Sequence, residues 1–259
     1  MRDLTLIDAF GVRDGDVVTL VGAGGKTTLM FALAQEFSRL GKRVVITTTV
    51  KMYKKDVGQA NRTIFCENVE SLERQMMQPQ SSGDVVSVVS ESASAEKFRG
   101  IDPSVIDELA DRNLVDLVVV KGDGASEKLF KAPAEYEPTI PSVTSLVIPV
   151  VGMKAAGKSL TSKNCQRPRI AAKLAGVRVG DVITPQVIAR VLTHEKGGAK
   201  NAPSKARIIP LLNQVDTEED LKVAMETANL TLELSNGRFQ RIILGRVGRD
   251  DPLVRIIER

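Results

Sequence analysis

The stretch Val17–Thr28, VVTLVGAGGKTT, constrains this chain more than any other: an apolar, β-branched run enters three glycines and leaves them as Lys-Thr-Thr at the head of a helical pattern. Glycine lets the backbone turn sharply and aim successive N–H groups into one concavity, and the helix behind adds its positive end. Strand, glycine-rich turn and helix in that order predict a phosphate-binding loop built from Gly22, Ala23, Gly24, Gly25, Lys26, Thr27 and Thr28. In such a loop Lys26 reaches the β- and γ-phosphates, and the Thr27 hydroxyl helps hold Mg²⁺. The spacing is shorter than the common form, because the position expected to be the first glycine is Leu20. A plain glycine-rich turn with a surface lysine is the alternative.

Composition narrows what such a loop can serve. Hydrophobic residues at 42% and charged residues at 26% belong to a folded globular chain. Seven Phe, two Tyr and no Trp leave few faces for bases to stack on, which argues against a single-stranded nucleic-acid platform. The net charge of +4 is spread without a polybasic run, so no nucleic-acid partner is expected, and anionic nucleotides suffice to explain it. Cys66 and Cys165 lack metal or redox spacing. The N-terminal stretch carries charges and no apolar h-region, and nowhere is there a run of about eighteen apolar residues, so the expectation is a cytoplasmic protein with no membrane partner.

Taken in order, the chain alternates strand and helix patterns. Leu4–Phe10 has helical spacing, Val17–Val21 reads as a strand, Thr27–Leu40 as a helix and Val44–Thr49 as a second strand. Arg62–Cys66 and Val85–Val89 read as further strands, with a helix from Asn68 to Met77 and a loop over Gln78–Gly83 between them. Asp102-Pro103 starts another helix, and Val115–Val120 is the most apolar strand. Phe130–Pro141 holds three prolines and predicts irregular backbone. Ser145–Val151 and Arg207–Leu212 read as strands, with short helices after Arg167-Pro168 and Thr184-Pro185. Lys196–Lys200 reads as a flexible basic loop, a lid over phosphates being its functional alternative, and the lone His194 as a helix-end residue. A helix over Glu218–Ala228, a strand over Arg241–Val247 and a closing helix over Asp250–Arg259 complete the pattern. Strands this uniformly apolar suit a mostly parallel sheet covered by helices on both faces, an α/β, P-loop NTPase-like fold. One domain over residues 1–259 is expected, allowing a helical or loop insertion at about 152–205.

Three positions outside the loop join it. Asp123 follows the apolar strand in Lys121-Gly122-Asp123-Gly124, where a Walker-B type carboxylate holds Mg²⁺; aspartate between glycines is also ordinary turn chemistry. Thr49 ends a strand at the same sheet edge and offers Mg²⁺ or the γ-phosphate a hydroxyl, although threonine also simply favours strands. Asn213-Gln214-Val215-Asp216 parallels the Asn-Lys-x-Asp stretch of many GTPases, in which Asn supports the loop and contacts the base while Asp accepts from guanine N1 and N2. Asp216-Thr217 equally suits a helix N-cap.

The short loop resembles that of the Mur ligases, which bind a nucleoside triphosphate. Taken together, VGAGGKTT with the threonines at 47–49, VVVKGDGASEKLFKAPAEYEPTIP over Val118–Pro141, and IPVVGMKAAGK followed by IIPLLNQVD resemble the YqeC-type proteins, described as accessory proteins for selenium-dependent molybdenum hydroxylases. The resemblance implies a P-loop nucleotide-binding fold and a role in maturing a molybdenum-cofactor enzyme, with that client or its maturation factors as partners. This chain departs from the family in one place: Lys121 stands where Glu is usual, two residues before Asp123. Residues two apart on a strand share a face, so an ammonium takes the place of a carboxylate able to orient water, and slow hydrolysis of GTP or ATP is expected. The readings kept are a nucleoside-triphosphate-binding maturation factor, an NTPase using Lys26, Lys121 and Asp123; a phospho- or nucleotidyl-transferase acting on a cofactor precursor, with Lys131–Pro138 lining a second pocket; and a non-catalytic binding scaffold.

Overall fold

The computed structural model describes residues 4–77 and 83–259. The loop expected at Gln78–Gly83 falls, as far as Ser82, outside them. The first helix, α1 (Leu6–Phe10), is capped reciprocally by Thr5 and Asp8. After it come β1 (Asp16–Gly22), α2 (Lys26–Ser38), β2 (Val44–Thr48), β3 (Met52–Tyr53), α3 (Lys54–Val57) and β4 (Arg62–Phe65). Asn68 caps α4 (Val69–Met76), followed by β5 (Val85–Val89) and β6 (Lys97–Phe98). Asp102 at the N-cap and Pro103 at the first position start α5 (Pro103–Asp111), as their preferences require. Then come β7 (Leu117–Lys121), β8 (Phe130–Lys131), β9 (Leu146–Gly152), β10 (Cys165–Gln166), α6 (Pro168–Ala175) and α7 (Pro185–Thr193). The last elements are β11 (Arg207–Ile208), β12 (Leu211–Asn213), α8 (Glu218–Leu234), β13 (Arg241–Gly245) and β14 (Leu253–Glu258).

The main sheet runs β14-β13-β12-β9-β1-β7-β2-β5-β4, with β11 also on β9. Every pairing in it is parallel except β13 with β14. Alternation along β7 shows why its sequence is uniformly apolar: Leu117 and Val119 pack in one cluster with α1 and α2, while Val118 and Val120 pack in another with α4 and α5. A third cluster joins α6, α7 and α8 to β9, β12 and β13. From β1 the chain moves first toward β2 and later toward β9, so the order reverses at β1 and opens a crevice at the carboxyl ends, where ligands bind in such sheets.

Four expectations are corrected. Asp250–Arg259 is no helix: the β-branched Val254, Ile256 and Ile257 fill a six-residue antiparallel edge strand paired with β13, with Arg255 and Glu258 exposed. The strand expected over Arg207–Leu212 is split before β12 because Pro210 offers no N–H. The proline-rich segment contributes a short strand, β8, which pairs with β10. Lys196–Lys200 is packed: Ala199 is fully buried, and Lys200 Nζ donates to the carbonyls of Ala134, at 3.0 Å, and Glu135. No helix among the described residues is long and apolar enough to cross a membrane.

Candidate nucleotide-binding site

The loop sits where β1 ends, seated on two neighbours. Gly24 has a φ of +88°, and a Cβ there would lie 2.2 Å from the Gly152 nitrogen at the end of β9. At Gly25, φ +125°, a Cβ would lie 2.3 Å from Asn213 Nδ2. Only glycine permits both the backbone and the approach. Asn213 is 2% exposed; its Nδ2 donates to the Gly24 carbonyl at 2.9 Å, and its Oδ1 accepts from the Val247 amide at 2.9 Å. Asn213 thus ties the glycine loop to β12 and to the segment after β13. Ala23 is fully buried behind the turn, whereas Gly24, Gly25, Lys26, Thr27 and Thr28 line the crevice.

Asp123 reaches the loop through sheet register. Leu20 pairs with Lys121, so two residues further on Asp123 lies beside Gly22. Its Oδ2 accepts from the Gly22 amide at 3.0 Å, and its Oδ1 lies 3.0 Å from Lys26 Nζ. Lys26 also donates to the Gly22 carbonyl. Burial holds the Lys26 pKa below the ordinary lysine value, with Asp123 opposing and Lys131 reinforcing the shift.

Beyond Asp123 the charges continue in alternation. Lys131 Nζ lies 2.8 Å from Asp123 Oδ2 and 2.8 Å from Glu137 Oε2, and donates to the Gly124 carbonyl. Glu137 Oε2 lies 2.8 Å from the Arg167 guanidinium, which also donates to Glu137 Oε1 at 3.2 Å and to the Tyr136 hydroxyl at 3.3 Å. Lys26, Asp123, Lys131, Glu137 and Arg167 therefore form one chain of alternating charge, from the phosphate loop to the head of α6. Of these, Arg167 had no site role in the sequence pattern, and Lys131 and Glu137 figured there only as lining of a second pocket. Lys131 and Glu137 lay in the proline-rich stretch, but nothing local pairs them with each other or with Arg167. The Lys131 side chain is only 1% exposed, and of the segment Lys131–Pro138, where a second pocket was expected, Glu137 lines the crevice.

The crevice is a cavity of about 560 Å³. Besides the loop it is lined by Lys51, Tyr53, Lys55 and Lys97, by Lys121 at the end of β7, and by Gln214 after β12. Gln214 Oε1 is buried without a hydrogen-bond partner among the described residues. Lys121 is half-buried, and burial, with Lys26 nearby, lowers its pKa to about 8. Thr49 does not line this cavity: its hydroxyl donates to the Thr139 carbonyl at 2.8 Å. Asp216 lies outside it as well, in a separate hollow with Arg246 and Arg249; its carboxylate is 3.5 Å from Lys154 Nζ and 3.8 Å from Arg249 Nε.

Mg²⁺ fits the residues present. Asp123 Oδ1 is buried and its close partner is Lys26 Nζ at 3.0 Å, so a cation could take over that oxygen once Lys26 turns to phosphate, and Thr27 lines the adjoining cavity. The described residues contain no cluster of three or more His, Cys, Asp or Glu side chains fit to hold a metal. That suits a cation bound through one carboxylate together with phosphate oxygens and water.

A family model described as YqeC protein matches residues 18–169, more than half of the chain. The uncharacterized protein YqeC of Escherichia coli (strain K12) is 28% identical over 250 residues, 96% of this chain and 94% of that one. Among solved structures, FtsY from Mycoplasma mycoides aligns with a TM-score of 0.34 at 16% identity, over 93% of this chain and 63% of that one. The signal recognition particle receptor FtsY from Elizabethkingia anophelis, in complex with GDP, aligns with a TM-score of 0.35 at 13% identity, over 94% and 61%. This chain spans less than two thirds of the length of either FtsY chain.

Proposed function

The chain belongs to the YqeC family, and we propose that it is a Mg²⁺-dependent nucleoside-triphosphate-binding protein, a slow NTPase that assists the maturation of a selenium-dependent molybdenum hydroxylase in the cytoplasm. The observation that supports nucleotide binding is the meeting of Lys26, Asp123 and the Gly22 amide at the mouth of a glycine loop, within 3.0 Å. An incoming triphosphate draws Lys26 Nζ away from Asp123 and the Gly22 carbonyl, exchanging internal partners for phosphate oxygens. Asp123 Oδ1 and the Thr27 hydroxyl are the groups that would hold Mg²⁺ or its water, while Oδ2 keeps Lys131 and the Gly22 amide. Mg²⁺ supplies neutralisation of charge on the β- and γ-phosphates.

The maturation role rests on the family resemblance. Slow hydrolysis follows from Lys121, an ammonium at the position where a carboxylate would accept from the attacking water. GTP is favoured over ATP on the Asn213-to-Asp216 pattern: Asn213 braces the loop, and Asp216 three residues later would accept from guanine.

Thermal unfolding of the full chain with Mg²⁺ and GTP, ATP or CTP tests the binding reading. At 100-fold its Kd a ligand stabilises the fold by about 2.7 kcal/mol. Lys26→Ala should weaken binding about ten- to a hundredfold, the loss of a charge-assisted contact worth roughly 1.5–3 kcal/mol. If no nucleotide raises the Tm, a non-catalytic scaffold with a vestigial loop replaces this reading.

A further inference from the structure

We propose that the cavity beside the phosphate loop holds a second, phosphate-bearing small molecule at the same time as the nucleotide, gripped by Lys51, Lys55, Lys97 and Lys121 around Tyr53. The proposal rests on the nucleotide-binding reading for the occupant of the loop and assigns the remainder of the cavity. Its frame is the small antiparallel pair β3–β6, whose register sets Tyr53 opposite Lys97. Lys97 Nζ stands 4.2 Å from the Tyr53 ring centroid and Lys55 Nζ 5.2 Å, so one aromatic face system steadies two ammoniums.

Charge balance points to an anion. Lys51, Lys55, Lys97, Lys121 and Lys128 line the cavity, and none is in an ion pair among the described residues. Against these five ammoniums stand two lining carboxylates that are likewise without an ion pair, Asp56 and Glu127; Glu137 is already held by Lys131 and Arg167. Five against two leaves a surplus of three positive charges on one concave wall. Like charges gathered in a cleft repel one another and concentrate anions there, so a phosphate-bearing molecule removes a repulsion as well as adding contacts.

Position separates this wall from the nucleotide's own subsites. In the order β9-β1-β7-β2, Lys121 and the residues after β2 lie on one side of the loop; β9 and Gln214 lie on the other. A nucleotide with its base toward Gln214 leaves the lysine wall for a different anion.

Isothermal titration with inorganic pyrophosphate, on the full chain saturated with Mg²⁺ and a β,γ-imido nucleotide analogue, tests the proposal. One further equivalent of pyrophosphate should bind. Combined Lys51→Ala, Lys55→Ala and Lys97→Ala substitutions should weaken it about tenfold or more, since exposed charge pairs contribute severalfold each. The same variant should leave the analogue's Kd within about twofold. Tyr53→Leu, which frees Lys55 and Lys97, should weaken pyrophosphate severalfold. Displacement of pyrophosphate by the analogue, or equal weakening of both ligands in the triple variant, overturns the proposal, because the wall then serves the nucleotide's own phosphates. The two readings fail separately: if no nucleotide binds while pyrophosphate still binds and depends on the three lysines, the wall stands and the loop assignment falls.

Discussion

Replacing Glu137 by Gln removes one anion from the middle of the alternating chain and leaves its shape intact. In the parent, Glu137 is 8% exposed and its Oε2 lies 2.8 Å from both Lys131 Nζ and the Arg167 guanidinium. The five side chains sum to +1; without this carboxylate they sum to +2 around a lysine whose side chain is 1% exposed. Breaking a buried pair costs about 3–5 kcal/mol, because the partner charge stays buried. Arg167, a fifth exposed at its side chain, is partly screened, which sets the expectation at about 3 kcal/mol. At roughly 2–4 °C per kcal/mol for a chain of this size, thermal unfolding should fall by about 6–12 °C. Urea titration should give the same loss with an unchanged m-value. Arg167→Met alone should cost less, since Glu137 keeps Lys131. The double variant should fall short of the sum by at least about 0.5 kcal/mol, the signature of neighbours sharing one network. A Tm change under about 2 °C for Glu137→Gln, or strict additivity, would refute the idea that these charges act as one unit.

Lys121 gives a pH dependence with two opposite readouts. Its pKa of about 8 lies below the ordinary 10.5, among Lys26, Lys97, Asp56 and Asp123, so between those values the unfolded chain binds more protons and stability rises with pH. Anion affinity in the cavity should instead fall as pH rises through 8, and Lys121→Met should flatten both profiles. Lys121→Glu should raise NTP turnover, measured as phosphate release; unchanged hydrolysis in a folded variant removes Lys121 as the cause of slowness. Gly24→Ala should cost about 1–3 kcal/mol and abolish the nucleotide-induced Tm rise, because its Cβ would lie 2.2 Å from the Gly152 nitrogen at a positive φ. Asp216→Asn should weaken GTP about ten- to a hundredfold and spare ATP; equal effects on both would remove Asp216 as a guanine reader.

What was legible in the sequence is what local chemistry and strand register dictate. Val17–Thr28 announces strand, loop and helix by the order of its residues, and Asp123 was legible as a carboxylate at the end of an apolar strand, whereas its place against Gly22 depends on β7 pairing with β1. Asn213 was found through a short motif, and its brace on Gly24 follows from β12 lying beside β9. Thr49 failed to reach the cavity because a strand-end hydroxyl also has carbonyls to satisfy, and Thr139 is nearer. The closing helix failed because periodicity over so few residues does not separate helix from edge strand, and only pairing with β13 decides. The links among Lys131, Glu137 and Arg167 were silent for a stronger reason: the partners lie in different loops, and no spacing in the chain encodes a contact between residue 137 and residue 167.

Those silent links change what the loop can do. On the proposed reading Lys26 is the cation that meets phosphate, and it is held by Asp123, whose other oxygen is held by Lys131 and the Gly22 amide. On that reading a nucleotide would compete with an internal partner for Lys26, and Mg²⁺ would compete with Lys26 for Asp123. Each ligand frees the group the other needs, so binding of the two should be mutually favourable through this one contact. Because Lys131 stays with Asp123 and Glu137 while this exchange occurs, the loop can open its charge pair without dismantling the rest of the chain. The buried row of charges would then hold its other members while Lys26, the end that lines the cavity, changes partner.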